Sequence, residues 1–370
     1  MIRKNIVFLL FSSCLLGFGQ VGQEDFVLQD GVLIKYTGVE SAVIIPDNLG
    51  ITEIGERAFA FSKVTSVTIP AGVSRIGNWG FWGSEGLANI QLPEGLTHIG
   101  DWAFLGCSSL QTLRFPDTLI SIGDWTFGNC PNLTSIEVSE ENTAYRSIEG
   151  VLFDKTGTIL AVYPGGNQNP SYTIPDQVEL IRNLAFSSAV NLVTVRIPPS
   201  VIYIGNLAFY GCPSLTSIEA AEENPGYRSI EGVLFDKTGA ILLAYPEGNK
   251  NPTYTIPLGV QTIGERAFYG CTGFSRINIP KSVTTIGQEA FQECTGLVNM
   301  QIPDNITAIG DRAFSYCTSL VAVNISSKVT SIGNQAFYGC TNLELIHLYR
   351  ETRMGKDVFE SVPGQLTYLD

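Results

Sequence analysis

The stretch that decides the fold is Leu110-Gln111-Thr112-Leu113-Arg114-Phe115-Pro116, followed by Ile122-Gly123-Asp124-Trp125-Thr126-Phe127 and then Cys130. Leu113 and Phe115 are two apart, the spacing of a strand with one buried face, and Pro116 cannot donate to a ladder that would continue it. Ile-Gly then reads as an inward residue and a tight bend. A small and a large side chain before the last turn read as filling the interior.

The same unit recurs. Its anchoring phenylalanine falls at Phe59, Phe81, Phe104, Phe127, Phe186, Phe209, Phe268, Phe291, Phe314, Phe337 and Phe359, with gaps of 22, 23, 23, 59, 23, 59, 23, 23, 23 and 22 residues. Because 59 is 23 plus 36, each long gap holds one more turn and an insert. No single unit can bury its apolar face alone, so the expected fold is a solenoid repeat, with one short strand plus a turn or short helix per 23-residue coil. At about 4.8 Å per coil, a dozen coils make a rod or arc roughly 60 Å long around one continuous core.

In this spacing the chain resembles the BspA-like leucine-rich repeat family, whose unit looks like L-T-S-I-x-I-P-x-x-V-T-x-I-G-x-x-A-F-x-G-C. Leu133-Thr134-Ser135-Ile136 carries the first part; Ile256-Pro257, Val260, Ile263-Gly264, Ala267-Phe268 and Gly270-Cys271 carry the rest. The resemblance spans residues 26–348. It implies a surface or secreted protein of the kind implicated in adhesion to matrix proteins or other cells. Ile181-Arg182 departs from Ile-Gly, which predicts a different bend there, and Ser326 replaces the proline after Ile325. Past Ile346-His347-Leu348 the pattern loosens, so residues 349–370 are expected to form a C-terminal cap to a solenoid running over 46–348.

Two inserts, at about 139–172 and 221–254, lie within near-duplicates, with Tyr-Arg-Ser-Ile-Glu-Gly-Val-Leu-Phe-Asp-Lys-Thr-Gly at 145–157 and again at 227–239, an offset of 82. Apolar runs flanking Lys155-Thr156-Gly157 predict a β-hairpin with glycine at a positive-φ position. The inserts read either as packing against the side of the coil or as dedicated binding loops. A degenerate copy, Gly31-Val-Leu-Ile-Lys-Tyr-Thr-Gly38, predicts a capping hairpin over residues 20–45 that covers the first open edge.

Residues 1–19 read as a secretory signal, with Arg3 and Lys4 before an apolar run from Ile6 to Phe18. That run falls short of the roughly 20 residues a spanning helix needs, and no other segment comes near. The chain is therefore expected to be secreted or at the cell surface, with lipid anchoring at Cys14 the rival. Without Arg3 and Lys4 the balance is 20 basic against 35 acidic residues, a net −15, which opposes nucleic acid and anionic lipid as partners.

Catalytic equipment is sparse. The two histidines, His98 and His347, lie far apart, and both read as surface residues; no nucleophile elbow or phosphate loop is visible. No enzyme activity, cofactor or metal is expected. Cys107, Cys130, Cys212, Cys271, Cys294, Cys317 and Cys340 each follow the anchoring phenylalanine by three, in a slot that elsewhere holds Ser62, Ser84 or Ala189. A small buried core position explains all ten, with stacked disulfides or a metal site as rivals. Asp101, Asp124 and Asp311 match no calcium loop and read as solvated charge on turns.

Two surfaces remain as candidate ligand-binding sites. Outward strand residues make a polar face that includes Arg114, Arg196 and Arg276. Trp79, Trp102 and Trp125 occupy the slot two before the phenylalanine, which elsewhere holds Arg57, Arg266, Glu289, Arg312 or Gln335, so they should form a solvent-facing stripe. Such a stripe reads as a contact site suited to sugar rings, or as indoles laid on one another to close the coil edge. The expected function is binding of a matrix or cell-surface protein, with glycan binding through the stripe as the alternative.

Overall fold

The computed structural model describes residues 22–369; the signal segment and Cys14 lie outside the described residues. Each coil carries the expected strand, such as Ser66–Thr68, Asn89–Gln91 or Thr112–Phe115, and also a second strand of two residues, such as Arg75–Ile76, His98–Ile99 or Ser121–Ile122. Both kinds stack in parallel and in register, Val67 on Ile90 and Ile76 on Ile99, so every position in the repeat becomes a column along the solenoid. Inward isoleucine and valine on the two strands face each other across the core. Between the short strand and the phenylalanine slot the chain turns without helix; among the described residues only Gln23–Asp25 and Asp47–Leu49 are helical, as single 3-10 turns.

The turn has its own ladder. Trp79, Phe81 and Gly83 donate their N–H groups to Asp101, Ala103 and Leu105 of the next coil at 2.8–2.9 Å, while Gly80, Trp82 and Ser84 donate within the coil to Gly77, Trp79 and Phe81. That alternation requires positive φ at two sites, two before and two after the phenylalanine. All eleven coils show it, from Arg57 (φ 58°) and Phe61 (φ 55°) to Asp357 (φ 54°) and Ser361 (φ 61°). A non-glycine residue there costs about 1 kcal/mol or more. The cost recurs in each coil and is offset by inter-coil bonds made by backbone that would otherwise be left unpaired inside the stack.

The glycine of Ile-Gly is not the bend the spacing predicts. None in this column has positive φ. A Cβ would instead strike the coil below, 2.5 Å from Gly287 C at Gly310 and 2.5 Å from Asn334 N at Gly355. Close approach of coil to coil is what demands glycine. Arg182, the exception, sits above an insert strand and still donates its N–H to Leu160 O at 3.0 Å, as Gly264 does to Leu242 O at 2.9 Å, so the bend expected to differ is kept.

Phenylalanine rings stack through the interior at centroid separations of 4.9 Å (Phe59–Phe81), 5.2 Å (Phe81–Phe104) and 5.1 Å (Phe291–Phe314), matching the spacing of adjacent strands. The column is in three runs, each started by a tyrosine: Tyr36, Tyr163 and Tyr245 stack on Phe59, Phe186 and Phe268. Buried side chains likewise form three clusters, broken at the two inserts.

Each insert supplies three antiparallel strands, the hairpin Val151–Asp154 and Ile159–Val162 plus a preceding strand, Tyr145–Ile148. Glu149 and Gly150 (φ 51° and 79°) form a turn with two left-handed residues that suits a tight hairpin. The third strand then pairs in parallel with Leu180–Ile181 and becomes a rung of the solenoid. Leu152, Phe153 and Leu160 are fully buried, so the insert lies in the stack and not along its side. At the N-terminus Phe26–Gln29 and Val32–Tyr36 form a two-stranded version that hands on to Glu53–Ile54. At the other end residues 349–369 continue the array instead of forming a separate cap: Phe359 stacks on Phe337 at 5.4 Å, and Gln365–Leu369 pairs in parallel with Leu345–Tyr349.

Where an insert begins, the short-strand sheet stops, and a side chain replaces the missing rung. Ile122 N–H donates to the Tyr145 hydroxyl at 2.9 Å, and Ile204 N–H to Tyr227 at 3.1 Å. Beside them Asn142 and Asn224 are fully buried. Asn142 donates to Pro116 O and Leu119 O (2.9 and 3.0 Å) and accepts from Ala144 N and Tyr145 N (2.9 and 2.8 Å), and Asn224 repeats all four bonds in the second copy. Asn142→Ala strands two carbonyls and two amides, and should lower the free energy of the first urea-unfolding transition by about 3 kcal/mol. A loss under about 0.5 kcal/mol, the scale of an ordinary surface change, would show that the amide does not tie the coils together.

Candidate binding surfaces

The outward face of the longer strands carries Arg114, Arg196 and Arg276, all exposed, but in three separate sheets. They do not converge. Arg114 lies in register with Glu137; Arg196 pairs with Glu219 at 3.0 Å and donates to Ser171 Oγ at 2.9 Å. Arg276 edges a groove of about 800 Å³ that crosses strands Arg276–Asn278, Asn299–Gln301 and Ala322–Asn324, with Lys281, Gln301 and Asp304 along it. The ladder beneath is thin, Arg276 opposite Asn299 being the one registered pair between the first two strands. The groove thus lies on the polar face formed by these three strands.

The three indoles are half-buried, not laid open as a solvent-facing slot predicts. Trp79 and Trp102 stack face to face at 5.0 Å and 3°, Trp125 tilts against Trp102 at 6.4 Å, and the Arg57 guanidinium covers the free face of Trp79 at 4.8 Å. Trp82 lies against Phe61 at 4.5 Å. The coil repeat sets the indole spacing, so both faces of Trp79 are covered, by Trp102 and Arg57, and Trp102 lies between Trp79 and the tilted Trp125.

The family profile described as BspA type leucine rich repeat region matches residues 52–165, 162–241 and 244–364, in 6 copies. The chain belongs to the BspA-type leucine-rich repeat family. It is similar to a solved leucine-rich cell surface protein of Faecalibacterium prausnitzii, 25% identical with a TM-score of 0.55 over 93% of each chain. A leucine-rich repeat protein from Eubacterium ventriosum shares the fold, at 24% identity and a TM-score of 0.51 over 90% of this chain and 88% of that one. No curated protein matches the chain significantly.

In this BspA-type array the recurring polar residues serve the stack. Each of the seven cysteines among the described residues is buried and unbridged, and its thiol donates to the carbonyl of the aromatic residue one coil below: Cys107 to Phe81 at 3.2 Å, Cys212 to Phe186 and Cys317 to Phe291 at 3.0 Å, Cys271 to Tyr245 at 3.7 Å. Ser84 does the same to Phe59 at 2.6 Å. The slot therefore selects a small volume, and where Cys or Ser84 fills it the side chain also donates to the coil below; Ala189 fills it without a donor. Asp101 and Asp311, expected as solvated charge, accept the backbone N–H groups of Asp124 and Asn334 at 2.8 and 2.7 Å, while Asp124 pairs with Arg182. Both histidines join such inter-residue bonds, His98 with Thr97 at 2.8 Å and His347 with Asn324 at 2.7 Å.

Burial holds these thiols protonated. Cys130, Cys212 and Cys340 are pushed up to about 12 from an ordinary 9.0, and Cys107, Cys294 and Cys317 also rise well above it. The unfolded chain loses these protons near pH 9 while the folded one keeps them to about 12, so their contribution to stability is complete below pH 9 and falls between 9 and 12. Alkaline titration of the folded chain should show the thermal midpoint dropping across that window. In parallel, a thiol reagent at pH 8 should label none of the seven quickly before guanidinium is added and all seven afterwards. Rapid labelling of several thiols in the folded chain would contradict the buried ladder.

Proposed function

We propose that the chain is a non-enzymatic protein-binding module, secreted or displayed at the cell surface, that works in adhesion. Family membership supports the coarse reading, because BspA-type leucine-rich repeat proteins are generally surface interaction proteins without enzymatic activity. The similar Faecalibacterium chain is itself a cell surface protein. Export is supported by the apolar run after Arg3 and Lys4. No helix among the described residues is long and apolar enough to cross a membrane.

The observation that carries the reading is the groove beside Arg276. It offers basic and amide groups on three adjacent rungs and the Lys281 and Asp304 charges on the turns beside them, an arrangement suited to an extended polar segment of another protein. Glycan binding through the tryptophans is the weaker reading, since both faces of Trp79 and the facing side of Trp102 are occupied.

Residues 20–370, immobilised and presented with a panel of extracellular-matrix proteins and with a glycan array, should bind at least one protein saturably. The triple change Arg276→Ala, Gln301→Ala, Asn324→Ala should weaken that binding at least tenfold, whereas Trp79→Ala should leave it within twofold. Saturable glycan binding that Trp79→Ala abolishes, with no matrix protein bound, would replace this reading with the other.

A further inference from the structure

The two places where an insert enters the array are copies of each other at an offset of 82 residues, yet one is filled and the other is open. At the first, the space between the coil of Phe127 and the coil of Phe186 shrinks to about 20 Å³. Trp125 and Leu184 line it, and Arg182 reaches across to Asp124 and to Ile122 O. At the second, these three residues are Leu207, Arg266 and Gly264, and a cavity of about 250 Å³ remains. Arg266 does not plug it from the position of Leu184, because its guanidinium is held by Glu265 and Glu289, each at 2.6 Å. Phe127 is 5% exposed, while its counterpart Phe209 is only half-buried.

What replaces the filling is aromatic and acidic. Gly128, Ser187 and Gly165 of the first copy become Tyr210, Tyr269 and Glu247 in the second. Tyr210 stands edge-on to Tyr269 at 5.1 Å, and the Tyr269 hydroxyl donates to Glu293 Oε1 at 2.9 Å. Glu247 is in the wall of the cavity, and its Oε2 is closed off from solvent with no hydrogen-bond partner. Burial, with a smaller push from Glu293, raises its pKa; Lys250 and the neighbouring backbone only partly oppose this. Tyr210 and Glu247 also border an outer cleft of about 390 Å³ that includes Glu293, so the cavity adjoins an open, acid-lined approach.

We propose that the second insert junction is a pocket for a cationic side chain, an arginine or lysine of a partner polypeptide, with its charge beside Glu247 and its stem along Tyr210 and Tyr269. The cavity is smaller than the roughly 300–1,000 Å³ of sites for whole small molecules and suits one anchoring side chain. Glu247 in the cavity wall, Glu293 in the adjoining cleft and the two tyrosine rings favour a cation over an anion, while the Arg266 charge in the same wall is matched by Glu265 and Glu289. A buried carboxylate oxygen without a partner is costly alone and would be compensated by such a guest. This deepens the protein-binding reading by naming one anchor, but the pocket is testable without any partner protein.

The probes are Nα-acetyl-L-argininamide, Nα-acetyl-L-lysinamide and the neutral Nα-acetyl-L-citrullinamide, titrated calorimetrically into residues 20–370. One saturable site for at least one cationic probe is expected, at least tenfold weaker for the citrulline compound. Glu247→Gln should weaken it at least tenfold. Leu207→Trp, which installs the indole that the first junction carries at a backbone of the same left-handed φ (53° against 61°), should abolish it with the thermal midpoint unchanged or raised. Absence of saturable binding, equal binding of the neutral probe, or unchanged affinity in either folded variant would overturn the pocket. If Leu207→Trp does not fold, Glu247→Gln decides alone. Since the probes are free amino-acid amides, this outcome stands apart from whether the groove beside Arg276 binds a matrix protein.

Discussion

Coil must lie on coil at about 5 Å, and nearly everything else in the molecule follows from that distance. It is the spacing of hydrogen-bonded strands, and here it is also the spacing of the phenylalanine rings, 4.9–5.5 Å along the first run. A residue that suits one coil must therefore tolerate a copy of its slot directly above and below. Ile-Gly keeps its glycine because a methyl group would enter the next backbone. The cysteine slot keeps a small residue, and its thiols and Ser84 donate to the carbonyl beneath; the acidic or amide residue after the glycine offers an acceptor to the N–H above it.

The inserts are the array's solution to starting again. A rung that ends without a parallel successor would leave an N–H buried and unpaired, and the hydroxyl oxygens of Tyr145 and Tyr227 accept its hydrogen bond. Asn142 and Asn224 complete the seam with four bonds each. Because each restart breaks both the aromatic column and the short-strand sheet, the junctions are where the stack can leave space without weakening every coil. One junction is packed shut and the other is not.

Much of this was legible in the sequence. The spacing of eleven phenylalanines shows the coil, and the alternation around Leu113 and Phe115 shows the buried face of the longer strand. The shorter strand was not legible, since two residues are too few to display a period. Nor was the left-handed backbone at Trp79, Trp102 and Trp125: Trp, Arg, Glu, Leu and Gln fill ten of the eleven places in that column, none of these favours the conformation, and the inter-coil ladder enforces it. For the same reason a slot that elsewhere holds charged residues looked solvent-facing, while stacking half-buries its indoles. The arginines were placed correctly on the outward face, but pattern alone cannot show that inserts divide that face into separate sheets. The open junction had a signal, the exchange of Trp125, Leu184 and Gly165 for Leu207, Arg266 and Glu247 at a fixed offset, whose meaning depends on what fills the space in three dimensions.

Amide hydrogen exchange on residues 20–370 tests the central claim, that stacked coils held by the turn ladder form three blocks joined at seams where side chains replace the short-strand rung. Protection should be strong at the inter-coil amides such as Trp79, Phe81 and Phe104, and should fall into three levels that change between Ile122 and Tyr145 and again between Ile204 and Tyr227. Rapid exchange at those turn amides, or one uniform level running through both seams, would contradict it.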